Sequence, residues 1–260
     1  MIRLCVFDLG GTIVDKYSLT PFLSLKHAFK VNGINIHNSL IFSDMGKSKK
    51  DHINIILDDK YVKRNWFNKH GQFPTSADSY LIYNEFCRYQ INEGIRNMEI
   101  IPETKNCINY MRTNNILTGV TTGFNKPIMM GIKEKLLEND IYINKYVSST
   151  CLKEPGRPNP YMVNHIMDGV SITNPKSVLK IDDTVVGLQE GKAAGCTTVG
   201  VAKWSTNMLI TRPNQTLTKE EHIKKIKHSR SKLREANPDH IITSLDELPR
   251  LIELINYGYL

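Results

Sequence analysis

Arg3-Leu4-Cys5-Val6-Phe7-Asp8-Leu9-Gly10-Gly11-Thr12 opens the chain with an apolar run that stops at a carboxylate and two glycines. A short apolar run bounded by turn residues reads as a buried strand entering a loop. With one charge and so brief an apolar stretch, this start predicts a strand rather than a secretion signal. The carboxylate sits at the strand tip, and the glycines let the backbone turn closely around whatever the carboxylate meets. An aspartate so placed can approach a phosphoryl group.

Working outward, β-branched runs recur at 3–8, 116–120, 146–149, 177–181, 197–201 and 240–243. Segments with three- and four-residue apolar spacing, such as 105–112 and 128–137, lie between most of them. That alternation predicts an α/β fold: a doubly wound, mostly parallel, Rossmann-like sheet covered by helices on both faces. Ligands of such sheets sit at the carboxyl ends of the strands, so functional residues are expected just after strands. One stretch breaks the pattern. Residues 17–97 carry helical periodicity only, at 26–31, 50–57 and 80–91, and ~80 residues is too long for a loop. The expected organisation is a core from 1–16 and 98–260, with 17–97 inserted as an α-helical cap.

The 260 residues are 40% hydrophobic and 23% charged, ordinary for a globular protein. No apolar run approaches the ~18–20 residues that span a bilayer. Five scattered cysteines without CxxC spacing fit a reducing, cytoplasmic setting and argue against a cysteine-ligated zinc. The net charge of +8 is concentrated in 219–234, where no aromatic residues interleave the lysines and arginines. A solvated helix is expected there rather than a nucleic-acid surface. A positive field would still favour a small anionic substrate.

Three further strand ends carry chemistry. Thr121-Thr122-Gly123 offers hydroxyls and backbone N–H groups suited to phosphate oxygens. Arg157, between Pro155 and Pro158, offers a guanidinium suited to bidentate phosphate recognition. Asp182-Asp183-Thr184 places two acids side by side, which repel unless a cation joins them, and oxygen ligands so arranged suit Mg²⁺. Nucleophile, hydroxyl, cation and paired acids thus follow in chain order, each at a strand end.

This ordered set resembles the haloacid dehalogenase superfamily, whose members attack substrate with the strand-one aspartate. Phosphatases of that superfamily usually carry a second aspartate two residues later; here that residue is Gly10. Met45-Gly46-Lys47-Ser48-Lys49-Lys50-Asp51-His52 resembles the catalytic-lysine segment of the phosphonoacetaldehyde hydrolase (phosphonatase) family, which also lacks the second acid. Lys49 and His52 share a helix face, with Met45 one turn earlier. Gly156-Arg157-Pro158, Pro74-Thr75 with Ala77-Asp78, and Gly200-Val201-Ala202-Lys203 are similar as well. The resemblance implies Asp8, Lys49 and His52 as catalytic residues. Gly10, Met45, Thr121, Thr122, Gly123 and Arg157 would surround a small phosphonate or phosphate, and Asp8, Gly10, Asp182 and Asp183 would hold Mg²⁺. It also implies a homodimer formed through the caps; the short apolar runs leave no membrane partner expected.

Three departures stand out. Gly187 replaces the family's usual aspartate, Asp182 stands where glycine is usual, and Phe124 replaces a common tyrosine. An Asp182–Asp183 pair is also the pattern of the superfamily's sugar-phosphate mutases. A phosphatase or mutase, or a catalytically silent phosphate-binding homologue, therefore stands as the alternative.

Overall fold

The computed structural model describes residues 1–259. Six strands, β1 (Leu4–Phe7), β2 (Leu117–Thr122), β3 (Lys145–Ser148), β4 (Val178–Asp182), β5 (Thr197–Val201) and β6 (His240–Ile242), form one sheet in the order β3-β2-β1-β4-β5-β6. All five pairings are parallel. The chain steps to one side of β1 for β2 and β3, then to the other for β4, so the topological switch lies at β1. The carboxyl ends of β1, β2 and β4 therefore meet beside Asp8.

Between β1 and β2 run α1 (Leu19–Val31), α2 (Asn38–Phe42), α3 (Lys49–Asp58), α4 (Lys60–His70), α5 (Ser76–Tyr89) and the short α6 (Ile95–Asn97). The rest of the chain supplies α7 (Thr104–Thr113), α8 (Lys126–Glu138), α9 (Tyr161–Gly169), α10 (Val185–Ala193), α11 (Lys219–Leu233) and α12 (Leu248–Asn256). Strand alternation sorts the core into two faces. Cys5, Phe7, Leu179 and Ile181 pack with α7, α8, α12 and the cap helices in one apolar cluster. Leu4, Val6 and Val178 pack with α9 on the opposite face. Among the described residues no helix is long and apolar enough to cross a membrane.

Two cap helices extend the sequence expectation. α1 starts earlier, because the Asp15 carboxylate accepts the Thr20 N–H and Pro21 is tolerated in a first turn. α4, which apolar spacing does not mark, is delimited by chemistry at its ends. Asp59 caps the N–H groups of Tyr61 and Val62, and Gly71 terminates the helix in a left-handed conformation. α11 carries much of the basic charge on an exposed surface, as a solvated helix would.

Candidate active site

Asp8 leaves β1 with its N–H bonded to the Ile181 carbonyl and its side chain buried. Asp182 and Asp183, at the end of β4, bring carboxylate oxygens so near that the three acids offer ligand atoms all within 4.8 Å of one another. Burial raises the Asp8 carboxyl pKa; the Arg157 charge opposes that shift and Asp182 adds to it. Burial and the charges of Asp8 and Asp182 push Asp183 upward too.

The three acids are not equivalent. Asp182 bonds Lys180 at 2.8 Å through Oδ2, while its Oδ1 accepts from the Thr184 N–H and hydroxyl at 2.9 and 2.7 Å. The Asp183 carboxylate accepts from the Thr206 N–H and the Thr12 hydroxyl, and among the described residues no cation lies within ion-pair distance of it. A buried, all-oxygen set with an unneutralised charge fits a hard divalent cation. Asp8 and Asp183 are the pair that would hold it, with Asp182 behind them.

Gly187 and Asp182 face each other. A Cβ built at Gly187 would lie 1.9 Å from Asp182 Oδ2, so the Asp182 carboxylate fills the room that a residue-187 side chain would need. The two departures noted in the sequence are thus one exchange. Gly11 is required for a similar reason: its φ is +77°, and a Cβ there would lie 2.4 Å from Asp183 Oδ2.

Arg157 enters from the β3–α9 loop and is buried. Its Nη1 donates to Asp8 Oδ1 at 2.8 Å, its Nε to Glu190 Oε2 at 2.9 Å, and its Nη2 to the Thr121 carbonyl and hydroxyl at 2.7 and 2.8 Å. Burial works against its charge, but Glu190, Asp182 and Asp8 outweigh that and raise its pKa. Thr121 lies deeper than the other expected site residues. Its fully buried hydroxyl is engaged by Glu190, Arg157 and Lys180, so it stands below the cavity instead of lining it. Its neighbour Thr122 lines the cavity, with Gly123 and Phe124.

The cap closes the site from above. Ser48 caps α3 by accepting the Asp51 N–H, which makes Lys49 the first helical residue. Lys49 is buried, its Nζ 3.7 Å from Met45 Sδ and 5.9 Å from the centre of the Phe124 ring. Burial lowers its pKa to about 8, opposed by Asp8 and assisted by Arg157. Asp8, Gly10, Met45, Lys49, Thr122 and Arg157 line one cavity of about 30 Å³. Gly123 permits the closure: a Cβ there would meet the Lys47 carbonyl oxygen at 2.4 Å. His52 stands apart from the other expected site residues. It does not line the cavity; its Nε2 lies 3.3 Å from the Leu40 carbonyl, and burial holds its pKa down at about 3.

Ser18 and Pro21 also line the cavity and carry no signal in the sequence. Left-handed turns at Asp15, Tyr17 and Ser18 bring them back over Gly10. Lys180 and Glu190 escape a strand-end search as well, although a lysine inside the buried run of β4 is a visible anomaly.

Residues 2–195 match the model of the haloacid dehalogenase-like hydrolases. The phosphonoacetaldehyde hydrolase of Latilactobacillus sakei subsp. sakei (strain 23K) is 33% identical over 252 residues, covering 96% of this chain and 95% of that protein. A phosphonoacetaldehyde hydrolase-like protein from Oleispira antarctica superposes with a TM-score of 0.92 at 25% identity, over 98% and 93% of the two chains. A hydrolase from Pseudomonas syringae shares the fold at a TM-score of 0.70 and 16% identity, over 98% and 99%.

Proposed function

The chain belongs to the phosphonoacetaldehyde hydrolase family of the haloacid dehalogenase-like hydrolases, and from that premise we propose that it hydrolyses phosphonoacetaldehyde to acetaldehyde and phosphate. The observation that carries the reading is the Lys49 amine, buried in the wall of the cavity that Asp8 also lines. With a pKa near 8, about one-tenth of Lys49 is uncharged at pH 7, roughly 300 times the fraction of an ordinary lysine.

Breaking a carbon–phosphorus bond would leave a carbanion, and Gly10 has no acid with which to protonate it. The uncharged Lys49 amine adds to the aldehyde carbon and, with uptake of one proton from solvent and loss of water, forms an iminium. The Asp8 carboxylate then attacks phosphorus, and the carbon–phosphorus electron pair moves onto the iminium, leaving a neutral enamine and an aspartyl phosphate. Protonation of the enamine carbon gives an iminium again, and water hydrolyses it to acetaldehyde and a proton, restoring Lys49. Water attack on the aspartyl phosphate releases phosphate and restores Asp8. Arg157 and Thr122 bind and orient the phosphoryl oxygens. Asp8, Asp183 and the Gly10 carbonyl would hold Mg²⁺, which supplies positive charge against the approach of one anion to another.

Incubation with phosphonoacetaldehyde and borohydride is expected to trap an adduct that peptide mapping places on Lys49, and Lys49→Ala is expected to abolish both adduct and phosphate release. Absence of an adduct together with absence of phosphate release would refute the proposal. The Asp182–Asp183 pair favours phosphatase or mutase chemistry as the second reading, and phosphate-ester turnover that survives Lys49→Ala would select it. The cap exposes Tyr61, Phe67, Phe73, Tyr80 and Leu81, and a homodimer of the 29.7 kDa chain through this surface is the expected assembly, testable by sedimentation.

A further inference from the structure

Beneath the cavity, between β4 and α10, lies a buried charge cluster whose Lys180 and Glu190 do not line the cavity and reach it only through Arg157. Lys180 and Glu190 are both fully buried. Lys180 and Asp182 alternate to the same face of β4, and α10 approaches closely there because Gly191 has no side chain; a Cβ at that position would meet the Lys180 Cβ and Cγ at 2.6 Å. Glu190 Oε2 receives Arg157 Nε at 2.9 Å and the Thr121 hydroxyl at 2.8 Å, with Lys180 Nζ at 3.4 Å. Lys180 Nζ also bonds Asp182 at 2.8 Å and the Thr121 hydroxyl at 3.1 Å.

We infer that Glu190 and Lys180 are positioning residues that together aim the Arg157 guanidinium at Asp8 and the phosphoryl group. The inference deepens the proposed reading and rests on Arg157 binding the phosphoryl oxygens. A guanidinium held by one carboxylate can swing about its own stem; a fork held at Nε and Nη2 has its plane fixed. Glu190 and Thr121 hold those two nitrogens, which leaves the Nη1 edge as the one presented to Asp8 and the cavity. Lys180 acts against a competing pose. Asp182 Oδ2 stands 3.6 Å from Arg157 Nη2, and without Lys180 two unneutralised buried carboxylates, Asp182 and Glu190, would draw the guanidinium down and away from Asp8. A buried ion network of this kind is weak evidence for stability, since well-packed apolar residues often replace one at no loss. Its geometry points to aim.

Orthophosphate binding in the presence of MgCl₂, followed by calorimetry, tests the aim without turnover. Glu190→Leu is expected to raise the phosphate Kd at least ten-fold, and Lys180→Met to weaken binding in the same direction. Glu190→Gln, which keeps an acceptor for Arg157 Nε, is expected to stay within about three-fold of the parent. Borohydride trapping of acetaldehyde on Lys49 should remain within two-fold in all three, because the amine owes its lowered pKa first to burial and Arg157 makes no bond to it. Should Glu190→Leu fail to fold, Thr121→Val removes the shared hydroxyl while keeping both charges, and the same selective loss is expected. A folded Glu190→Leu that binds phosphate within two-fold of the parent overturns the inference, as does a parallel loss of phosphate binding and Lys49 trapping. A parent protein that binds phosphate but forms no Lys49 adduct instead refutes the carbon–phosphorus reading and leaves this test intact.

Discussion

Gly123→Ala should cripple the enzyme without unfolding it. Gly123 is outside the left-handed region, so its backbone accommodates alanine without strain. The new methyl, however, would stand 2.4 Å from the Lys47 carbonyl oxygen and 2.9 Å from that of Gly46. Both obstacles are cap backbone, which cannot rotate aside as a side chain would. Restoring an ordinary van der Waals separation requires the cap to lift by about 1 Å at this point. Lys49 stands two residues beyond Lys47 at the start of α3, so its amine lifts with the segment. A misplacement of ~1 Å costs about 100-fold in rate, or about 2.7 kcal/mol in the barrier. The assay is kcat/KM for phosphate release from phosphonoacetaldehyde, beside a melting curve. The expected result is a loss of about two orders of magnitude with little change in Tm. Acetaldehyde trapping on Lys49 should survive, because the amine alone carries that step. A variant within three-fold of the parent would refute the idea that contact between Gly123 and the cap backbone sets the alignment of Lys49 with Asp8.

Three other outcomes follow from the same geometry. The rate of borohydride trapping should rise with pH and level off above about 8, since the lowered Lys49 pKa makes the reactive neutral amine the minor form below that value; a profile still climbing at pH 10 would contradict it. Gly187→Ala drives a methyl into the Asp182 carboxylate, breaking its bonds to Lys180 and Thr184. A loss of ~3 kcal/mol is expected, seen as a fall in Tm of roughly 6–12 °C. Asp183→Asn removes a buried carboxyl that has no cationic partner and that burial disfavours in its charged form, so in metal-free buffer it should raise Tm by about 2 °C or more. The same variant should abolish the Mg²⁺-induced rise in Tm expected of the parent; a lower metal-free Tm would contradict this account of the site.

Much of the architecture is legible because it rests on local rules. An apolar run closed by glycine needs no distant partner to be read as a buried strand, and all six expected strands are present within a residue or two at each end. The strand-end rule likewise marks Asp8, Asp183 and Arg157, and the Met45–His52 segment marks Lys49 by its resemblance. α4 lacks a periodic cue: its Asp59 cap and Gly71 stop define it more than an apolar stripe does.

The division at the site has a physical cause. By itself the sequence determined the α/β class, the inserted helices, and an aspartate after the first strand with no second acid at Gly10. Only the tertiary structure decided which of two adjacent threonines meets the cavity, since neighbours on a strand point to opposite faces. It turned Thr121 down to Glu190 and left Thr122 in the lining. It likewise gave Asp182 to Lys180 and left Asp183 without a cation. These choices depend on side chains far apart in the chain, on β2, β4, α10 and the Arg157 loop. Their charges and hydrogen bonds become mutually dependent only once packing removes the water between them.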